Sequence, residues 1–133
     1  MIYIDTNIII DVLDESSQKH EACRTALDNA LATGPVFVCD AVYAEASMGM
    51  DSMEQLDAVL ATLNITRSAP RQSALFTAGR AFLRYKKENE GPKNNVLPDF
   101  FIGAQALDEN VPLVTSDVKR MAHYFEGLNI VEP

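Results

Sequence analysis

Four short and nearly continuous apolar runs, at residues 1–4, 36–39, 112–115 and 129–131, punctuate the chain, with helix-like sequence between them. A run that does not alternate apolar with polar has no face to turn to water, so each reads as a strand covered on both sides. Helical crossovers in a parallel sheet provide that cover, and the pattern predicts an α/β fold with a central, mostly parallel sheet. A length of 133 residues suits one domain, spanning 1–133, with room for a real core. Hydrophobic residues at 47% and charged ones at 23% exclude a disordered or fibrous chain. No run reaches the ~18 apolar residues of a membrane span, and the first residues lack a basic start and cleavage site. A cytoplasmic protein with no membrane partner is the expectation.

Between the runs, residues 17–33 place Ala22, Ala26, Leu27, Ala30 and Leu31 on one helical stripe, and Gly34-Pro35 supplies a stop. Residues 70–87 repeat the pattern, with Leu75, Phe76, Gly79, Phe82 and Leu83 expected inward and Arg80, Arg84 and Lys87 on another face. Residues 88–96, with Gly91, Pro92, Asn94 and Asn95, read as a loop, after which Pro98 opens a helix apolar almost all round. Met48, Met50 and Met53 read first as core filling and second as an adaptable surface for a partner helix. Cys23 and Cys39 stand without metal-ligand spacing and are expected as buried reduced thiols; His20 and His123 have no ligand or triad spacing and receive no chemical role.

A formal charge of −8 argues against a general nucleic-acid coat. The deficit is uneven, because residues 64–95 hold Arg67, Arg71, Arg80, Arg84, Lys86, Lys87 and Lys93 against only Glu88 and Glu90. The stripe Arg80, Arg84, Lys87 reads first as a solvated face paired in part with those glutamates, and second as a guide for a phosphate backbone.

The acids are more telling. Asp5 follows the first strand directly, and Asp117 comes two residues after the third, so both sit at strand C-terminal ends, where ligands bind in open parallel sheets. Asp99 lies in the first turn of the apolar helix. Glu45 lies about one turn into the helix after the second strand, and a helical side chain leans toward its own N-terminus. Asp40 competes with Glu45 by position, but its place before Ala41 suits a helix cap better. Two carboxylates about 4 Å apart repel by roughly 4 kcal/mol at an effective dielectric near 20, so four in one place call for a cation. All-oxygen donors favour Mg²⁺ or Mn²⁺ over zinc, and such an ion serves phosphodiester hydrolysis. Asn7, Thr115 and Ser116 are placed to orient the acids, the metal waters or a phosphate.

At this point the chain resembles a PIN-domain ribonuclease, and within that group the VapC toxins of bacterial and archaeal toxin–antitoxin pairs. The likeness rests on four fragments in order: Met1-Ile2-Tyr3-Ile4-Asp5-Thr6-Asn7, Val42-Tyr43-Ala44-Glu45, Leu97-Pro98-Asp99-Phe100-Phe101-Ile102-Gly103-Ala104 and Leu113-Val114-Thr115-Ser116-Asp117. The resemblance implies a three-layer α/β/α fold and Mg²⁺- or Mn²⁺-dependent endonucleolytic cleavage of RNA. It implies a cognate antitoxin and a homodimer, with metal-binding roles at Asp5, Asp99 and Asp117 and Glu45 completing the site. Many relatives carry Arg where this chain has Ser116, so a basic substrate contact there is missing or passes to Lys119 or Arg120. Two other readings compete: an inert PIN-like interaction module, and a phospho-accepting receiver-like domain, which would need adjacent acids after the first strand and a Lys after the last.

Overall fold

The computed structural model describes residues 1–89 and 97–133. Most of the segment expected as a loop at 88–96 lies outside them; Glu88 itself ends a helix. In chain order the elements are β1 (Ile2–Ile4), α1 (Thr6–Leu13), α2 (His20–Thr33), β2 (Val36–Cys39), α3 (Asp40–Ser47) and α4 (Met53–Thr62). There follow β3 (Ile65–Ser68), α5 (Gln72–Glu88), α6 (Leu97–Asp108), β4 (Leu113–Val114), α7 (Val118–Tyr124) and β5 (Ile130–Val131).

The strands form one sheet in the order β3-β2-β1-β4-β5, and every adjacent pair is parallel. Helices cover both faces, which gives the expected three-layer α/β/α architecture. The four apolar runs supply β1, β2, β4 and β5. β3 did not announce itself because Thr66 and Arg67 are exposed: an edge strand buries little and needs no continuous apolar run.

From β1 the chain winds outward to β2 and β3, then returns to lay β4 on the other side of β1. The strand order therefore reverses between β1 and β4, and the crevice beyond their C-terminal ends is a topological switch point. Tyr3 pairs with Leu113 and Ile4 with Val114, so Asp5 and Thr115 emerge side by side at that edge.

The core is a continuous cluster in which Ile4, Val38, Leu113 and Val114 of the sheet are fully or almost fully buried. α6 crosses it as the sequence led us to expect, burying Phe100, Ile102, Gly103, Ala104, Gln105 and Ala106. Phe100 is the hub of an aromatic cluster, with ring centroids 5.6 Å from Phe82, 5.5 Å from Tyr85, 5.3 Å from Tyr124 and 6.0 Å from Phe125. That packing joins α5, α6 and α7 and anchors the first turn of α6, which carries Asp99.

Two helix faces differ from expectation. On α5 the buried residues are Ala74, Ala78 and Ala81, whereas Leu75, Phe76 and Leu83 are exposed. Small side chains let α5 lie close against α6, and that close approach sets the helix phase. On α2 the inward residues are Cys23, Leu27 and Ala30, while Ala22 faces out. The methionines also depart from a core role, since Met48 and Met53 are 80% and 65% exposed and only Met50 packs partly against the core. Both cysteines are buried and free. Among the described residues no helix is long and apolar enough to cross a membrane.

Candidate active site

Asp5 ends β1 and serves as the N-cap of α1, its Oδ1 accepting from the Thr6 backbone N–H at 2.6 Å. Its second oxygen, Oδ2, accepts from the Thr115 hydroxyl at 2.8 Å. Both carboxylate oxygens are thus fixed by neighbours on two adjacent strand ends, and the residue is 3% exposed. The Thr115 hydroxyl in turn accepts the Asp117 backbone N–H at 3.0 Å, so one side chain orients two of the acids.

Glu45 joins from α3, which touches both α1 and α6. Its Oε1 accepts from the Thr6 hydroxyl at 2.9 Å, so Thr6 holds Asp5 by its backbone and Glu45 by its side chain. Asp99, in the first turn of α6, and Asp117, at the start of α7, meet at one guanidinium: Arg120 Nη1 lies 2.7 Å from Asp99 Oδ2 and 3.3 Å from Asp117 Oδ2. Asp117 makes no side-chain capping bond to α7; its carboxylate turns to Arg120 instead.

The electrostatics tie the four acids into one neighbourhood. Burial is the main force raising the Asp5 carboxyl above its usual range. The bonds from Thr115 and Thr6 oppose it, and the charges of Glu45 and Asp117 push it further up. Asp99 is pushed up to about 6, by burial first and then by the charge of Asp5; Arg120 opposes the shift, and Glu45 and Asp117 add to it. Of the acids singled out in the sequence, Thr6 joins Asp5 to Glu45, Arg120 joins Asp99 to Asp117, and the charge of Asp5 acts on Asp99.

The supporting cast differs more. Thr115 is the orienting residue expected of it, fully buried. The Ser116 hydroxyl is buried without a hydrogen-bond partner among the described residues. Asn7 is exposed, and Thr6 beside it makes the contacts. Asp40 is not a cap: the N-cap of α3 is Cys39, and the Asp40 carboxylate pairs with Arg67 at 2.7 Å. The basic stripe on α5 is largely engaged, with Arg80 over the Phe76 ring at 4.8 Å and Arg84 over Tyr124 at 4.7 Å. Arg84 also pairs with Glu88 at 3.4 Å and donates to the His123 carbonyl. A cleft of about 760 Å³ lined by Tyr43, Met53, Asp57 and Arg67 opens beside β3 and contains none of the four acids, so size alone does not mark the site.

The donor set fits a hard divalent cation: two of the four carboxylates, Asp99 and Asp117, share one guanidinium, which leaves negative charge in excess when all four are ionised. As folded, however, no group of three or more His, Cys, Asp or Glu side chains among the described residues is arranged to hold a metal ion. Asp99 and Asp117 each give an oxygen to Arg120 instead.

Comparison with known proteins bears on this geometry. The VapBC2 complex of Rickettsia felis bound to a DNA fragment from its promoter superimposes with a TM-score of 0.72 at 20% identity, covering 99% of this chain and 98% of that one. A toxin–antitoxin complex from Klebsiella pneumoniae gives a TM-score of 0.65 at 22% identity, covering 98% and 96%. VapC20 of Mycobacterium tuberculosis, described as a sarcin-ricin loop cleaving toxin, gives 0.63 at 14% identity, covering 97% and 99%. At such identities the similarity is one of fold. No curated protein sequence matches the chain. The PIN domain family model matches residues 2–124, nearly the full length, and the chain belongs to the PIN domain family.

Proposed function

We propose that the protein is a Mg²⁺- or Mn²⁺-dependent endoribonuclease and the toxin of a toxin–antitoxin pair, acting with a cognate antitoxin and as a homodimer. The observation that carries this reading is the convergence of Asp5, Glu45, Asp99 and Asp117 at the C-terminal edge of β1 and β4. Support also comes from the Klebsiella neighbour, which is a toxin–antitoxin complex, and from the Mycobacterium neighbour, named as a cleaving toxin. A receiver-like domain finds no support, since Asp5 is followed by Thr6 and Asn7 rather than by an adjacent acid.

In this reading Asp5, Asp99 and Asp117, completed by Glu45, would hold the ion. When bound, such an ion supplies positive charge that polarises a phosphodiester and acidifies a water. The chain's own residues do the positioning. Thr6 and Thr115 fix the two oxygens of Asp5, and Thr6 also steers Glu45, so neither acid needs to reorganise when substrate arrives. The two threonines donate only one bond to each Asp5 oxygen, leaving lone pairs free for a cation.

The test is to induce expression and sequence transcript ends. Wild type is expected to produce new ends, and Asp5→Asn none. Equal cleavage by the variant, or by wild-type protein in chelator, would overturn the proposal; an absence of cleavage by both would favour the inert interaction module.

A further inference from the structure

Among the described residues one cation stands within the group of four acids, and it belongs to the protein. Arg120 ties Asp99 to Asp117 through a single nitrogen, at 2.7 and 3.3 Å, from the i+3 position of α7 relative to Asp117. The three side chains are 32%, 23% and 32% exposed in that order, sheltered yet within reach of an ion from solvent. A guanidinium does not lose its proton at working pH, so this charge is permanent. It occupies oxygens of two of the three aspartates assigned to the metal, and no three-carboxylate group is formed while it does so.

The geometry points to Arg120 as a resident counter-ion: its bonds to Asp99 and Asp117 compete with an entering divalent cation for the same two carboxylates, so it sets the metal affinity of the site. This inference rests on the metal-dependent reading above. An entering ion breaks at least one charge-assisted bond and sits beside a like charge, and both effects weaken its binding. Removing the guanidinium removes both. A lysine keeps the charge but offers a point ammonium on a flexible stem in place of a planar fork, so most of the competition persists.

The experiment titrates Mn²⁺ by calorimetry into the metal-free full chain as wild type, R120Q, R120K and D5N. R120Q is expected to bind Mn²⁺ about tenfold or more tightly than wild type, by loss of a like charge at contact distance. R120K is expected within about threefold of wild type, and D5N to lose the site. Unchanged or weaker binding by R120Q overturns the inference while leaving the metal site standing. No saturable binding by wild type, or equal binding by D5N, overturns the metal reading itself. A measurement without substitution checks the same point: saturating Mg²⁺ should shift the Arg120 side-chain ¹⁵N resonance, and an unmoved resonance overturns the inference.

Discussion

Thr115 and Asp5 are 110 residues apart in sequence and 2.8 Å apart in space, hydroxyl to carboxylate, across the ends of two adjacent parallel strands. The bond sits where strand order reverses, and the hydroxyl that makes it also receives the Asp117 N–H. Two acids from distant parts of the chain therefore share one orienting group, whose position is set by the register of β1 against β4.

Replacing Thr115 with Val keeps the shape and removes the shared hydroxyl. The Asp5 oxygen and the Asp117 N–H both lose a partner, at a cost of about 1–3 kcal/mol in stability. Cleavage is expected to fall by roughly 10–100-fold, the usual penalty for losing an orienting bond to a ligand. Thr115→Ser, which retains the hydroxyl, should recover most of both. Denaturant unfolding alongside a cleavage assay checks this; full activity in Thr115→Val would show that the bond does not position the site.

Asp5→Asn separates chemistry from folding. The amide oxygen can accept from the Thr6 N–H and the amide nitrogen can donate to the Thr115 hydroxyl, so the local bonds survive with one reversed. Burial and neighbouring charges raise the Asp5 carboxyl, so its ionised form is a cost to the metal-free fold. The variant should be as stable as wild type or more stable in chelator, while cleavage disappears. A marked loss of metal-free stability would mean that Asp5 is a structural cap first.

The site was legible where local sequence rules place an acid at an edge. Asp5 and Asp117 follow apolar strands, and Asp99 follows the Pro98 that opens α6. Its supporting contacts were not, because they depend on pairs far apart in the chain. Thr6 reaches Glu45 across 39 residues, and nothing near Thr6 distinguishes it from Asn7, the neighbour the sequence favoured. Arg120 reaches Asp99 across 21 residues only because α6 and α7 pack together through Phe100, Tyr124 and Phe125. The inward face of α5 was misjudged for a related reason: hydrophobicity picked Leu75 and Phe76, whereas close helix packing selected Ala74, Ala78 and Ala81.

Gly103 reports on that packing. A Cβ added there would run into the Phe125 ring and stand 2.9 Å from the Met121 sulfur, and both neighbours are buried. Gly103→Ala should therefore destabilise the protein by about 1–3 kcal/mol through overpacking, despite the better helix propensity of alanine. Thermal unfolding measures it. An unchanged or raised Tm would show that the α6–α7 contact has room for a methyl group.

The final prediction concerns acid. The folded-state value of Asp99 is pushed up to about 6, above the ordinary 3.8 of the unfolded chain, so between those values the folded state holds the extra proton. Stability then falls as pH rises through that window, the reverse of the usual carboxylate effect. In chelator the metal-free protein should lose on the order of 2 kcal/mol from this group between about pH 4 and 6. Asp99→Asn retains an oxygen for Arg120 but does not titrate, so its stability should fall less across the same range. Urea unfolding of both proteins at pH 4.5, 5.5 and 6.5 gives the comparison. Identical slopes for wild type and variant would mean that Asp99 is already ionised in the metal-free fold, with Arg120 alone outweighing its burial and its three acidic neighbours.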